Sequence, residues 1–140
     1  MATFSLKTIF IEIDDDGSAI LNIRYKLSLL GSIGYDFIGV DKDDIMSFVD
    51  FDRFPSDVEV DVRRVSKSDT DIDINNYAKI EETSSGKEFT AREINFGDNI
   101  PDVPFSINPT ASKVTIKFPD GHEEKFTNEK RVPEVTYIIN

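Results

Sequence analysis

Two alternating runs, KTIFIEI and AILNIRYKLSL, flank DDDGS between Leu6 and Leu29, and they constrain the fold more than any other stretch. In the first run Ile9, Ile11 and Ile13 share one face, with Thr8 and Glu12 on the other. In the second, Ala19, Leu21, Ile23, Tyr25 and Leu27 oppose Ser18, Asn22, Arg24, Lys26 and Ser28, and only Ile20 breaks the pattern. A period of two marks a strand with one buried face. An Asp-Gly step between two such runs marks a β-hairpin, and Gly17 supplies the positive φ that the turn needs.

The following stretch, LLGSIGYDFIGV, is apolar but carries Gly31, Gly34 and Gly39, which disfavour a stable helix. It reads as a loosened connection that plugs one end of the core or, if exposed, meets a partner or a membrane surface. Asp41 to Asp44 then open the best helix candidate, Lys42 to Phe51. Asp41 suits the N-cap, Asp43 and Asp44 suit the helix dipole, and Ile45, Phe48 and Val49 form an apolar stripe. Pro55 and its neighbours end the helix.

The second half returns to strands. Val58, Val60 and Val62 alternate with Glu59, Asp61 and Arg63, and a longer strand is expected from Thr70 to Glu81. Ser84-Ser85-Gly86 turns the chain into Glu88 to Phe96, and Asp98 to Pro109 forms a long loop with three prolines. Val114, Ile116 and Phe118 lead into Pro119-Asp120-Gly121, which turns the chain back through Glu123 to Thr127. Val135 to Ile139 closes the chain as a final strand. These segments predict one domain over residues 1–140. Its expected class is α+β: a mostly antiparallel sheet of about seven strands, with the helix and the apolar loop packed on it. A β-sandwich is the alternative, because several strands each bury one face.

A chain of 140 residues that is 39% hydrophobic can hold a core, so its 31% of charged residues does not mean disorder. Its 27 acidic against 16 basic residues leave a formal net charge of -11, which opposes nucleic acid and anionic lipid as partners. Solubility is the plain reading of that charge; cation binding, a salt-rich habitat and a basic partner are the sharper ones. The absence of cysteine excludes disulfides, thiol catalysis and thiolate metal sites. No stretch reads as a membrane span or a signal peptide. The chain is therefore expected to be cytoplasmic, or an extracytoplasmic domain whose leader and anchor lie outside it.

Three aspartate clusters carry the oxygen ligands that calcium needs: Asp14 to Asp16, Asp41/Asp43/Asp44, and Asp69/Asp71/Asp73. The third begins like an EF-hand loop, yet Ile74 stands where glycine is required and Ile80 where the bidentate acid belongs. Turn chemistry, helix capping and a wet strand face account for the three in turn. Asp14, Asp16, Asp69, Asp71 and Asp73 remain the candidate calcium ligands. His122 is the only histidine and stands beside a turn, so zinc and serine–histidine chemistry lack their usual parts. No P-loop and no G-x-G-x-x-G occurs. A two-carboxylate glycosidase site stays open, because 27 acidic residues always offer pairs. Tyr77 falls on the polar face of its expected strand, beside Asn75 and Lys79, where an exposed aromatic could anchor a partner.

The I-x-I-D-D-D-G-S-A hairpin, the short acidic helix and the V-T-I-K-F-P-D-G-H-E-E-K-F hairpin ending near V-P-E-V resemble a group of uncharacterised archaeal envelope proteins. In that group a β-rich domain of this length usually precedes a membrane anchor. The resemblance implies an extracytoplasmic domain cut from a longer protein. The lack of a recognisable nucleophile–base set makes an interaction or structural domain without enzymatic activity and without a cofactor the first expectation. Its expected contacts are a protein partner or a second copy. They would use a strand edge, a polar sheet face or the Leu29–Val40 loop, with Leu29, Leu30, Ile33, Tyr35, Phe37 and Tyr77 as the contact residues. A module binding calcium or a small ligand, and a small carboxylate-dependent hydrolase, are the competing expectations.

Overall fold

The computed structural model describes residues 3–28, 54–66, 68–96 and 106–140. The opening runs form β1 (Thr3–Ile13) and β2 (Ala19–Ser28), paired antiparallel around the Asp-Gly turn. The chain continues through β3 (Glu59–Val65), β4 (Asp69–Asn75), β5 (Ala78–Thr83), β6 (Gly86–Ala91) and β7 (Ile94–Asn95). It ends with β8 (Ser106–Asn108), β9 (Ala111–Lys117), β10 (Glu123–Glu129), β11 (Arg131–Val132) and β12 (Val135–Ile139).

Seven strands form one sheet in the order β10-β9-β1-β2-β4-β3, with β8 also on β1. A second sheet has the order β12-β6-β5, and β11 and β7 form a short ribbon. The large sheet is mixed. β1 runs parallel to β8 and to β9, so Ile9 lies beside Val114 although they are far apart in sequence. Alternation fixes the dry face: Ile9, Ile11 and Ile13 join Leu21, Ile23, Ile72, Ile74, Val114 and Ile116 in one core. Phe89, Ala91 and Ala78 of the second sheet belong to the same core.

The α+β expectation is overturned. Every regular element among the described residues is a strand, and the two sheets share one core, an arrangement that fits the sandwich alternative. The predicted helix at 42–51 and the apolar loop at 29–40 lie outside the described residues. No helix among the described residues is long and apolar enough to cross a membrane.

Two register shifts redirect the pattern. One, between Leu6 and Thr8, keeps Leu6 on the buried side with Ile9 despite their odd spacing. The other, between Val62 and Arg64, brings both Arg63 and Arg64 within reach of carboxylates on β4. The expected strand from Thr70 to Glu81 is two strands. Asn76 takes φ 60 between them, and the chain leaves the large sheet for the small one there.

Candidate functional site

The side chains that sit least comfortably in water collect on the outer face of the large sheet. Phe10 is 37% exposed and Ile20 is 39% exposed. Only Ile138 joins them as an exposed large hydrophobic among the described residues. Phe10 stands opposite Asn22 and Ile20 opposite Glu12, so the two are diagonal neighbours on one face. Alternation on β1 and β2 sends isoleucines inward, and the same alternation leaves this pair outward.

Charges flank the pair unequally. On one side β9 presents Lys113 beside Thr8 and Lys117 beside Glu12. On the other, β4 presents Asp69, Asp71 and Asp73 beside Arg24, Asn22 and Ile20. An open groove of about 620 Å³ runs over the turn end of this face, with Ile20 in its wall. Its lining includes the carboxylates of Glu12, Asp14, Asp15, Asp61 and Asp73, and the cations Arg63 and Lys117. Arg63 is 2.7 Å from Asp73, and Lys117 is 3.8 Å from Glu12. Asp14, Asp15 and Asp61 have no cation against them among the described residues. The groove therefore favours a positively charged guest.

The aspartates named from the sequence divide between two places. Asp14 and Asp16 shape the β1–β2 turn. The Asp14 carbonyl accepts from the Gly17 N–H at 3.0 Å, and the Asp16 carboxylate accepts from the Ser18 hydroxyl at 2.6 Å and its N–H at 3.0 Å. The bond from the Ser18 hydroxyl does most to hold the Asp16 carboxyl below its ordinary range. Asp69, Asp71 and Asp73 line up on the outer face of β4. Arg64 donates to Asp69 at 2.6 Å and to Asp71 at 3.0 Å, and Arg63 donates to Asp73 at 3.0 Å. Asn22 donates to Asp71 at 2.7 Å, and the Ser66 hydroxyl to Asp69 at 2.7 Å. Arg64 first, then Ser66, holds the Asp69 carboxyl well below the usual carboxylate range. These lone pairs are taken up by guanidinium and amide donors, an arrangement that holds β3 against β4. No group of three or more histidine, aspartate or glutamate side chains placed to hold a metal ion occurs among the described residues.

Tyr77 corrects its sequence reading. It is fully buried, its hydroxyl donates to the Arg92 carbonyl at 2.6 Å, and its ring meets Phe54 edge-on at 6.3 Å. The left-handed Asn76 just before it turns the side chain into the core. Burial pushes the Tyr77 phenol well above its ordinary range. Leu29, Leu30, Ile33, Tyr35 and Phe37 lie outside the described residues. His122 stacks on Tyr137 at 4.1 Å, and its Nε2 is 3.2 Å from Glu124. The Tyr137 hydroxyl donates to Asp120 at 2.7 Å, a bond that lowers the carboxyl and raises the phenol.

Phe10 and Ile20 are not among the candidates read from the sequence, although the signal for their exposure was there. Ile20 is the single break in the second run, and Phe10 falls between Thr8 and Glu12 on the polar side of the first. Comparison of the chain with protein families, curated proteins and solved structures finds no match.

Proposed function

We propose that the protein is a non-enzymatic interaction domain, of a cell-envelope protein, that docks a protein partner on the outer face of its large sheet. The observation that carries this reading is the exposed Phe10–Ile20 pair set within a charged face. Interfaces that bind specifically combine a small apolar or aromatic anchor with a polar rim. Here the anchor is the pair, and the rim is the lysines of β9 and the aspartates of β4. The groove beside Ile20 adds a place for a lysine or arginine of the partner, next to Asp14, Asp15 and Asp61. The envelope assignment rests on the resemblance of the two hairpins.

Site-specific photo-crosslinking in the cell of origin tests the reading. A photoreactive residue at position 10 or 20 should trap one discrete adduct. The same residue at Thr83, exposed at the end of β5, should not. An adduct shared by all three positions, or none from positions 10 and 20, sinks the proposal.

A further inference from the structure

Among the described residues the large sheet ends at β10 and β3, and the small sheet ends at β12 and β5. A free edge is a template for another strand, and proteins usually guard it with charges or bulges. Three of these four edges are guarded. β3 carries Glu59, Asp61, Arg63 and Arg64 and a register shift. β5 carries Lys79, Glu81 and Glu82, and β10 carries Glu123, Glu124, Lys125 and Glu129. β12, Val-Thr-Tyr-Ile-Ile, carries no charge, and among the described residues it pairs only with β6. Its Ile138 is 37% exposed on the outer face of the small sheet.

We infer that β12 is a self-association edge, and that its occupant is β12 of a second copy, antiparallel, with Tyr137 on the two-fold axis. The sequence of the edge is self-complementary in that register. Val135 faces Ile139 of the second copy, Thr136 faces Ile138, and Glu134 faces Asn140, so no like-charged side chains are paired along the strand. β-branched and aromatic cross-strand pairs of this kind stabilise antiparallel sheets. The same operation centred on Phe126 of β10 would set Glu123 against Glu129, two acids face to face. Tyr137 is also fixed in advance, because Asp120 accepts its hydroxyl bond and His122 stacks on its ring. Little side-chain freedom is then lost on pairing. The product is a continuous sheet of β5-β6-β12 from each chain, isologous as a closed dimer requires. This surface is separate from the outer face of the large sheet and does not depend on the docking proposed there.

The contact is short, so its affinity is modest, and the net charge of -11 on each chain opposes approach. Salt screens that repulsion while the pairing itself is uncharged, so association should tighten as ionic strength rises. Sedimentation equilibrium of the purified chain from about 10 μM to about 1 mM, at about 0.05 M and about 0.5 M salt, reads the sign directly. The expected result is a monomer–dimer equilibrium that is at least about threefold tighter at high salt. Ile138→Lys and Thr136→Lys, both at exposed positions, should each weaken it at least about tenfold. Thr83→Lys, with the same change of charge on the β5 edge, should not weaken it. Near-ultraviolet circular dichroism establishes that the variants are folded. A chain that stays monomeric at the upper concentration and high salt overturns the inference, even if β12 then takes a strand from another protein. A dimer that persists unchanged in Ile138→Lys and Thr136→Lys, or one that weakens with salt, overturns it as well.

Discussion

Gly17 and Gly121 are both turn glycines with positive φ, 87° and 96°, but their surroundings differ. A Cβ on Gly17 would stand 2.8 Å from the Ala78 carbonyl oxygen, whereas one on Gly121 would meet nothing within 4 Å. Gly17 also accepts from the Ala78 N–H at 2.9 Å, so it joins the opening hairpin to the small sheet. Gly121→Ala should therefore cost only the left-handed strain, about 1–2 kcal/mol. Gly17→Ala should cost at least about 1 kcal/mol more, because the backbone contact has to open. Denaturant titration of the two variants checks the difference, and equal losses would refute the close approach. Tyr77→Phe tests the other hidden contact. It removes the hydroxyl that donates to the Arg92 carbonyl and should cost about 1–3 kcal/mol by the same titration, with the fold retained. These two residues mark how far the sequence could be read. Gly17 was legible because an Asp-Gly step has few other uses. Tyr77 was not, because one left-handed Asn76 reversed its side, and the period-two pattern on both sides of Asn75-Asn76 reads as one continuous strand.

At the scale of elements, alternation located nearly every long strand, and failed where a bulge shifted its phase. Strict alternation along DVRRV puts Arg64 inward with Val62. The register shift between them instead puts Arg63 on Asp73 and Arg64 on Asp69 and Asp71. The aspartates of β4, which as a string resemble a calcium loop, thereby become the means of joining two strands. Pairing of β1 with β9 was equally invisible, since a parallel neighbour is chosen by the whole core and leaves no local turn signal. The ladder carries a pH signature. The Asp69 carboxyl titrates lower in the folded chain than in the unfolded one, where its value is about 4. Its contribution is thus complete above about pH 4 and is lost as pH falls through the lower folded value. Asp69→Asn should lower the melting temperature at neutral pH and flatten its decline between about pH 4 and pH 2. Melting curves that fall in parallel for the native chain and the variant would show that other carboxylates set the acid limb.

For the whole molecule, the decisive feature is that two sheets of unequal size share one core. The joints between them are few and specific. Among the described residues they include the Gly17–Ala78 hydrogen bond, the Phe118–Tyr137 ring contact at 5.0 Å, the His122–Tyr137 stack at 4.1 Å and the Tyr137–Asp120 hydrogen bond at 2.7 Å. The large sheet buries β1 and β2 between neighbours on both sides, with Ile11 and Leu21 fully enclosed. In the small sheet β12 has one neighbour among the described residues, and its inward residues Val135, Tyr137 and Ile139 are only half-buried. Local opening costs least where little apolar surface is buried and few backbone bonds must break together. Native-state hydrogen exchange at a concentration where the chain is monomeric should therefore rank the amides. Those joining β1 to β2 should exchange only through global unfolding, and those joining β12 to β6 through a smaller opening of lower free energy. The shared core makes a further demand. Removing β12 exposes Phe118 and the β6 side of that core, so the rest of the small sheet should follow before the large one. β5 and β6 amides would then lie between the two extremes. Exchange of β12 as slow as that of β1 would show that the joints, few as they are, bind the two sheets into a single cooperative unit.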